Sequence, residues 1–462
     1  MDAPQQARER GLAEAFDLSL SYLRSLPERH VGPRADAAAL RQRLARTLAD
    51  RGEDAESVIA ALAAAVDPGL VASAGPRYFG FVIGGILPAA AAADWLATTW
   101  AQNAALHALS PAAAAAEQVA GEWMLDLLGL PADASFGLPT GAGLGNAVGL
   151  AAGRHAVLDR AGWDVERRGL YGGPEVEVII GEEAHATVLT ALQYLGLGRE
   201  RVRRIGADDQ GRMRADELSD ALDTMDGPVI VITQAGNVNT GAFDPIDQIA
   251  DLLAGHPNTW LHVDGAFGLW AAVSPALQHL VQGVARADSW STDAHKWLNA
   301  GYDCGFVAVR DAEAHRASMA ASAAYLLRSE QRESWEYVLD SSRRARGFAL
   351  YAAIRSLGRE GVRELVERCC RLARRMAEQL TAGGVEVLND VVLNQVLVRF
   401  GDDGRTQAVI GQVQADGTAW MGGTSWQGVA AMRISVSNWS TTEADVDASV
   451  QSILRAAAGA AS

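Results

Sequence analysis

The sequence predicts an α/β protein: a mostly parallel sheet covered by helices, followed by a smaller α/β domain. Three observations carry this expectation. Between residues 76 and 315, short runs rich in Val, Ile and aromatics alternate with helical patterns, the arrangement of a parallel sheet with crossover helices. Beyond residue 345, a long amphipathic stretch leads into two further strand-like segments. The chain has 462 residues, 49% hydrophobic and 21% charged, so it exceeds one average domain and can bury a large core.

Residues 1–75 read as helical. Leu18, Leu20, Tyr22 and Leu23, then Leu40, Leu44 and Leu48, recur at spacings that favour one apolar face, and Pro33 separates the two runs. Such a face packs on a partner subunit or on its own domain. The run at 79–93, FGFVIGGILPAAAAA, falls short of the ~20 apolar residues that a spanning helix needs. Interrupted by Pro88 and glycines and ended by Asp94, it reads as buried core. Strands are predicted at 176–180, 228–233, 259–264, 288–292 and 305–309, with helices at 186–196 and 245–255 between them. Residues 345–381 predict long helices broken at Gly358 and Gly361, and 392–400 and 431–437 predict strands. The alanine-rich patches at 89–93 and 112–116 read as tightly packed helix. The domain expectation is an N-terminal helical segment at 1–75, a large domain at 76–318, and a loop with a small C-terminal domain at 319–462.

The formal net charge of −16 argues against a nucleic-acid binder, which normally presents a basic face. The 3 cysteines, Cys304, Cys369 and Cys370, form neither a disulfide framework nor a paired metal-ligand spacing. A reducing, cytoplasmic setting follows as the default, with no metal. The first residues carry acids and no apolar core, unlike a signal peptide.

Four places invite chemistry. Lys296, in STDAHKWLN, stands between His295 and Trp297 just after a strand, where company that keeps it from solvent suits an amine nucleophile. Asp264 ends TWLHVD. A carboxylate there either caps a helix over FGLWAAV or meets a cation such as a protonated ring nitrogen. TGAGLGN, at 140–146, opens a helix with three glycines, whose backbone amides suit a phosphate. It matches neither the Walker pattern nor the full dinucleotide fingerprint, since Gly149 is one residue late. His185 follows the strand at 176–180 and either caps the next helix or stacks on a planar ring. Taken in order, these are the parts of a pyridoxal phosphate site: phosphate cradle, stacking ring, pyridinium partner and Schiff-base amine.

With those residues in place, the chain resembles the group II pyridoxal-phosphate decarboxylases, the aromatic-amino-acid, histidine and glutamate decarboxylases, over nearly its whole length. The resemblance is carried by GPRYFGFVIGG at 75–85, LSPAAAAAEQVAGEWMLDLLGLP at 109–131, HVDGAFG at 262–268, DAHKWL at 293–298 and SRRARGFALYAAIRSLG at 342–358. It implies the fold type I, aspartate-aminotransferase-like architecture, with a seven-stranded sheet in the large domain and a small C-terminal domain. It also implies roles. Lys296 would condense with the cofactor's aldehyde, Asp264 would pair with the ring nitrogen, Ala266 would lie against the ring, and His185 would stack on its other face. Thr140, Gly141 and Ala142 would hold the phosphate, with His295 and Thr292 close by, and Asn237 would take the place of a family threonine. Tyr325 falls where the family carries a loop tyrosine that protonates the product carbanion, and Arg433 matches an arginine that meets the substrate carboxylate. Phe81 and Val82, beside Phe79 and Ile83, suggest an apolar substrate wall. Asn103, entering from a partner chain with Ala105 and His107, would favour a polar side chain instead.

The resemblance further implies a homodimer with a shared active site, acting on a free amino acid and releasing the amine and CO2. Alternatives are an aldehyde synthase, whose relatives carry phenylalanine at the loop position, an aminotransferase or lyase of the same fold, and a non-catalytic cofactor-binding protein. The departures are Asp293 for the family asparagine, Ala294 for the family proline, Gly143 where a hydroxyl residue is frequent, and an unfamiliar stretch at 103–111.

Overall fold

The computed structural model describes residues 3–320 and 331–460. Its large sheet has seven strands: β1 (Ser135–Gly137), β2 (Glu177–Gly181), β3 (Arg203–Ile205), β4 (Val229–Gln234), β5 (Thr259–Asp264), β6 (Ser289–Asp293) and β7 (Gly305–Val309). They lie in the order β1-β7-β6-β5-β4-β2-β3. β2 to β6 pair in parallel with their neighbours, β7 runs antiparallel to β6, and β1 runs antiparallel to β7. β4, β6 and β7 are buried at every position, as expected for strands covered on both faces by crossover helices.

Five of these strands match the sequence reading to within a residue. β1 and β3 were not anticipated. Each has only three residues, and β3 exposes both its arginines, so neither carries an apolar run.

The helix Ala142–Arg160 lies across the sheet, and a ladder of glycines lets it approach. A methyl group on Gly149 would sit 2.8 Å from the His262 ring, and one on Gly153 would sit 2.7 Å from Trp260. Glycine inside a helix costs about 1 kcal/mol relative to alanine. Here that cost secures contact with β5, the strand that ends in Asp264.

A second sheet, antiparallel throughout, comprises β8 (Glu386–Val387), β9 (Gln395–Arg399), β10 (Gly422–Trp426) and β11 (Val429–Ser435) in the order β10-β11-β9-β8. It follows a long helix, Gly347–Ala382, that breaks at Gly358, where φ is 62°. Gly361 does not break it. Gly358 alone adopts the left-handed conformation that glycine tolerates, and one such residue is enough to turn the chain.

The segment before the first large helix crosses to this second sheet. Phe79 N–H donates to Trp420 O at 2.8 Å, and Ser435 N–H donates to Phe79 O at 2.9 Å. Phe79 is in the core, and the alanine-rich patches form the helices Pro88–Trp100 and Pro111–Leu127, as the sequence predicts. No described helix is long and apolar enough to cross a membrane. Glu117, from the second of these helices, accepts two hydrogen bonds from Arg343 at 2.7 and 2.8 Å, with both side chains 1% exposed. This pair ties two of the recognised motifs together, and removing one partner of such a pair costs about 3–5 kcal/mol.

The N-terminal residues form the helices Ala3–Ser25, Ala37–Leu44 and Ala55–Val66. Leu12, Phe16, Leu23 and Leu44 are each about half exposed, so their own chain leaves much of this apolar face uncovered.

Candidate active site

The carboxyl ends of parallel strands are where ligands bind in such sheets, because the loops there diverge and leave a crevice. Here β2, β4, β5 and β6 deliver His185, Gln234, Asp264 and Asp293 to one cavity. It is also lined by Lys296, Ala266, Gly143 and Thr187.

Asp264 is buried, and its carboxylate accepts from Asn146 Nδ2 at 3.1 Å and from Ala266 N–H at 3.2 Å. Among the described residues it has no cationic partner. The carboxylate does not cap a helix: the following 3₁₀ turn, Gly268–Val273, has Phe267 at its start and no side-chain cap. A buried carboxylate facing a cavity without a counter-charge is costly, and a protonated ring nitrogen would supply that charge.

A directed hydrogen-bond chain backs Asp264. Trp260 Nε1–H donates to Ser289 Oγ at 2.8 Å, and Ser289 Oγ–H donates to His262 Nδ1 at 2.8 Å. His262 Nε2–H donates to Asn146 Oδ1 at 2.9 Å, and Ser291 Oγ–H reaches the same oxygen. This pattern turns the Asn146 amide so that its N–H groups face Asp264. Burial pushes His262 down to about 3, so it stays neutral and the chain keeps its direction. Sequence reasoning missed Asn146, whose only signal was its place at the end of TGAGLGN.

Of the two readings open for His185, the structure shows the helix cap. His185 caps the helix Ala186–Tyr194, with Nδ1 accepting from Thr187 N–H at 3.3 Å, and its ring lines the cavity. That bond assigns the ring proton to Nε2. Burial holds its pKa below the usual imidazole range, and the Lys296 and Arg433 cations act in the same direction against Asp264 and Asp293.

Lys296 Nζ lies 3.1 Å from Asp293 Oδ2. His295 packs its ring on Tyr302, accepts from Cys304 N–H at 3.2 Å through Nδ1, and presents Nε2 3.5 Å from Asp293 Oδ1. Burial holds it, too, below the usual range.

The glycine turn sits beside them. Gly141 starts the helix Ala142–Arg160 without a side chain to cap it. The turn is packed so closely that a methyl group on Gly305 would sit 2.6 Å from Gly141 backbone atoms. A helix start that lines the cavity with Ala142 and Gly143, a buried carboxylate with no cationic partner among the described residues and a lysine amine fit pyridoxal phosphate.

Other candidates fall elsewhere. Thr292 is buried behind the cavity wall, its hydroxyl donating to Ala266 O at 3.4 Å. Asn237 does not line the cavity. Its Oδ1 accepts from Asn239 N–H at 2.8 Å and Thr240 N–H at 3.2 Å and so shapes the turn after β4, while Gln234, Gly236 and Val238 line the site. Val82 is packed into the core at 1% exposure rather than facing a substrate. Phe81, 59% exposed, stacks on Trp420, which stacks in turn on Tyr78. Their segment abuts the lysine: a methyl group on Gly84 would collide with Lys296 O. Asn103 spends its side-chain oxygen on Ala105 N–H at 2.9 Å and on the distant Arg343 N–H at 3.4 Å. Arg433, on β11, is close enough to His185 for its charge to act there, and burial lowers its pKa. Tyr325 lies outside the described residues.

A lysine amine, a neighbouring strand-end carboxylate, an imidazole and a glycine turn on one sheet edge define a pyridoxal-phosphate-dependent enzyme. The comparisons with known proteins agree. A sequence profile described as the pyridoxal-dependent decarboxylase conserved domain matches residues 38–400. The chain therefore belongs to the pyridoxal-dependent decarboxylase family, and its cofactor is pyridoxal 5′-phosphate.

It is 26% identical over 404 residues to an aromatic-L-amino-acid decarboxylase of Bacillus atrophaeus, covering 84% of this chain and 80% of that one. It is 32% identical over 227 residues to the acidic amino acid decarboxylase GADL1 of Bos taurus, covering 47% of this chain and 43% of that one. The fold is that of Oryza sativa TDC, solved with PLP and tryptamine, at a TM-score of 0.91 and 23% identity, covering 99% of both chains. Mouse CSAD matches at a TM-score of 0.89 and 22% identity, covering 97% of this chain and 98% of that one.

Proposed function

We propose that the chain decarboxylates an L-amino acid to the corresponding amine and CO2, with Lys296, Asp264, His185 and Tyr325 as the acting residues. The observation that carries this reading is the convergence on one cavity of Lys296 and a buried Asp264 that has no cationic partner among the described residues.

Bound pyridoxal phosphate supplies an electron sink for the pair left at Cα when the carboxylate departs. Asp264, which accepts from the Asn146 and Ala266 N–H groups, would pair with the ring nitrogen. His185, neutral through burial, offers a flat imidazole and one N–H without adding a competing charge. Lys296, whose Nζ lies 3.1 Å from Asp293 Oδ2 on the cavity wall, would be the amine that holds the cofactor. Arg433, for whose guanidinium no ion pair is found among the described residues, meets the substrate carboxylate, and Tyr325 returns a proton to Cα. Thr140, Gly141 and Ala142 hold the phosphate, with His295 beside it. Phe81, Trp420 and Tyr78 form an aromatic wall beside the lysine segment, which favours an aromatic or hydrophobic side chain.

The enzyme works as a cytoplasmic homodimer sharing its active sites, with neither nucleic acid nor membrane as a partner. The half-exposed Leu12, Phe16, Leu23, Trp95, Leu96 and Trp100 supply an apolar face for a second copy. Three free, buried cysteines suit a reducing compartment.

The purified protein is expected to be yellow and to release CO2 from at least one amino acid in a screen of the common set, with the amine as product. A protein that stays colourless after added pyridoxal phosphate sinks the assignment. Tyr325→Phe is expected to divert product from amine toward aldehyde while leaving cofactor binding intact, because only the proton donor is lost. An unchanged amine-to-aldehyde ratio removes Tyr325 from this role.

A further inference from the structure

We propose that Asp293 makes binding of the cofactor's phosphate at the glycine turn depend on the uptake of one proton. The inference rests on the cofactor site proposed above and deepens it. Asp293 ends β6 with its side chain 5% exposed. Its Oδ1 accepts from Ala142 N–H at 2.6 Å, the first amide of the helix whose N-terminus is to hold the phosphate. The same oxygen would sit 3.3 Å from a methyl group placed on Gly141, so the carboxylate lies directly against the turn. An anion therefore already occupies the place where the phosphate arrives.

The charges facing Asp293 do not offset two anions. Lys296 Nζ, 3.1 Å from Oδ2, brings one positive charge. The helix N-terminus adds about half a charge. His295, on the same segment, and His185, at the start of the helix Ala186–Tyr194, are both held below the usual imidazole range by burial and so stay neutral. Tyr302 and Cys304, from the segment leading into β7, also face Asp293. Burial pushes each up to about 12, and so neither brings positive charge.

A phosphate brings roughly two negative charges above its second pKa of about 6. Added to the carboxylate, this exceeds the positive charge at hand, since Arg433 and Asp264, the other two charges that act on His185, are opposite in sign. Two anions crowded into a site of low dielectric resolve the conflict by sharing one proton, which turns repulsion into a hydrogen bond. That proton comes from solvent, so the phosphate binds more weakly as pH rises. Asparagine at 293 keeps an oxygen for Ala142 N–H and removes the charge.

The test uses the full chain stripped of cofactor and titrated with pyridoxal 5′-phosphate and with pyridoxal, followed by the visible absorbance of the bound aldehyde. Both aldehydes react with the same amine, so the ratio of their affinities isolates the phosphate. In the wild-type protein this ratio is expected to fall by about tenfold per pH unit above about pH 6.5, the slope for uptake of one proton. In Asp293→Asn the ratio stays flat, and near pH 8 it is at least about tenfold higher than in the wild type. A flat wild-type ratio overturns the proposal without any variant. A ratio in Asp293→Asn no higher than in the wild type overturns it as well. If neither aldehyde gives a coloured complex, the cofactor site itself is wrong, which is a separate failure.

Discussion

Lys296→Ala is expected to fold and to remain colourless in the presence of pyridoxal phosphate. Decarboxylation should fall by on the order of 10⁴-fold or more, the scale of loss when a covalent nucleophile is removed. The fold should survive because the lysine side chain is 21% exposed and its one ion pair among the described residues is with Asp293. Neither the Asp264 hydrogen-bond chain nor the Glu117–Arg343 pair depends on it. Stability should be compared between cofactor-free proteins, because bound cofactor stabilises whichever protein holds it. A Lys296→Ala protein that still develops the visible band, or that keeps its turnover, shows that the amine at 296 is not the point of attachment.

Asp264→Asn carries the second large effect. The amide is nearly the same size as the carboxylate, so the pocket keeps its shape. It carries no charge, however, and cannot hold a proton on the ring nitrogen. The charge that develops as CO2 leaves then has no electrostatic partner in a buried site, and kcat is expected to fall by at least about 10²–10³-fold, as when one preorganised group is withdrawn. Colour should persist, since Lys296 is untouched, but with a shifted absorbance maximum because the ring is no longer held protonated. The split separates the two residues: Lys296→Ala loses colour and activity together, whereas Asp264→Asn loses activity and keeps colour. Full activity in Asp264→Asn refutes the electron-sink role.

These two residues differ in how the chain announces them. Lys296 stands out locally, because His-Lys-Trp directly after a strand is an odd place for a solvated cation. Asp264 was ambiguous, since a helix cap and a ring partner call for the same residue at a strand end. The packed molecule removes the cap reading and supplies a distant partner: Asn146, 118 positions away in the chain, donates to the carboxylate, and no described cation pairs with it. His185 needed no choice, because capping uses Nδ1 and leaves the ring face free.

Local pattern was enough for the parallel strands and the helices between them. Buried strands must be apolar along their length, and helices must repeat near every third or fourth residue, so both leave a signature in consecutive residues. It was also enough for the order of glycine turn, histidine, aspartate and lysine. Three-residue strands such as β1 and β3 left no such signature. Nor could the chain show that Val82 turns into the core while Phe81 faces Trp420, that Asn237 closes a turn, or that Asp293 reaches Ala142 across 151 positions. Those outcomes belong to the packed molecule, because contacts between distant residues arise only once the strands are side by side and each side chain has a direction.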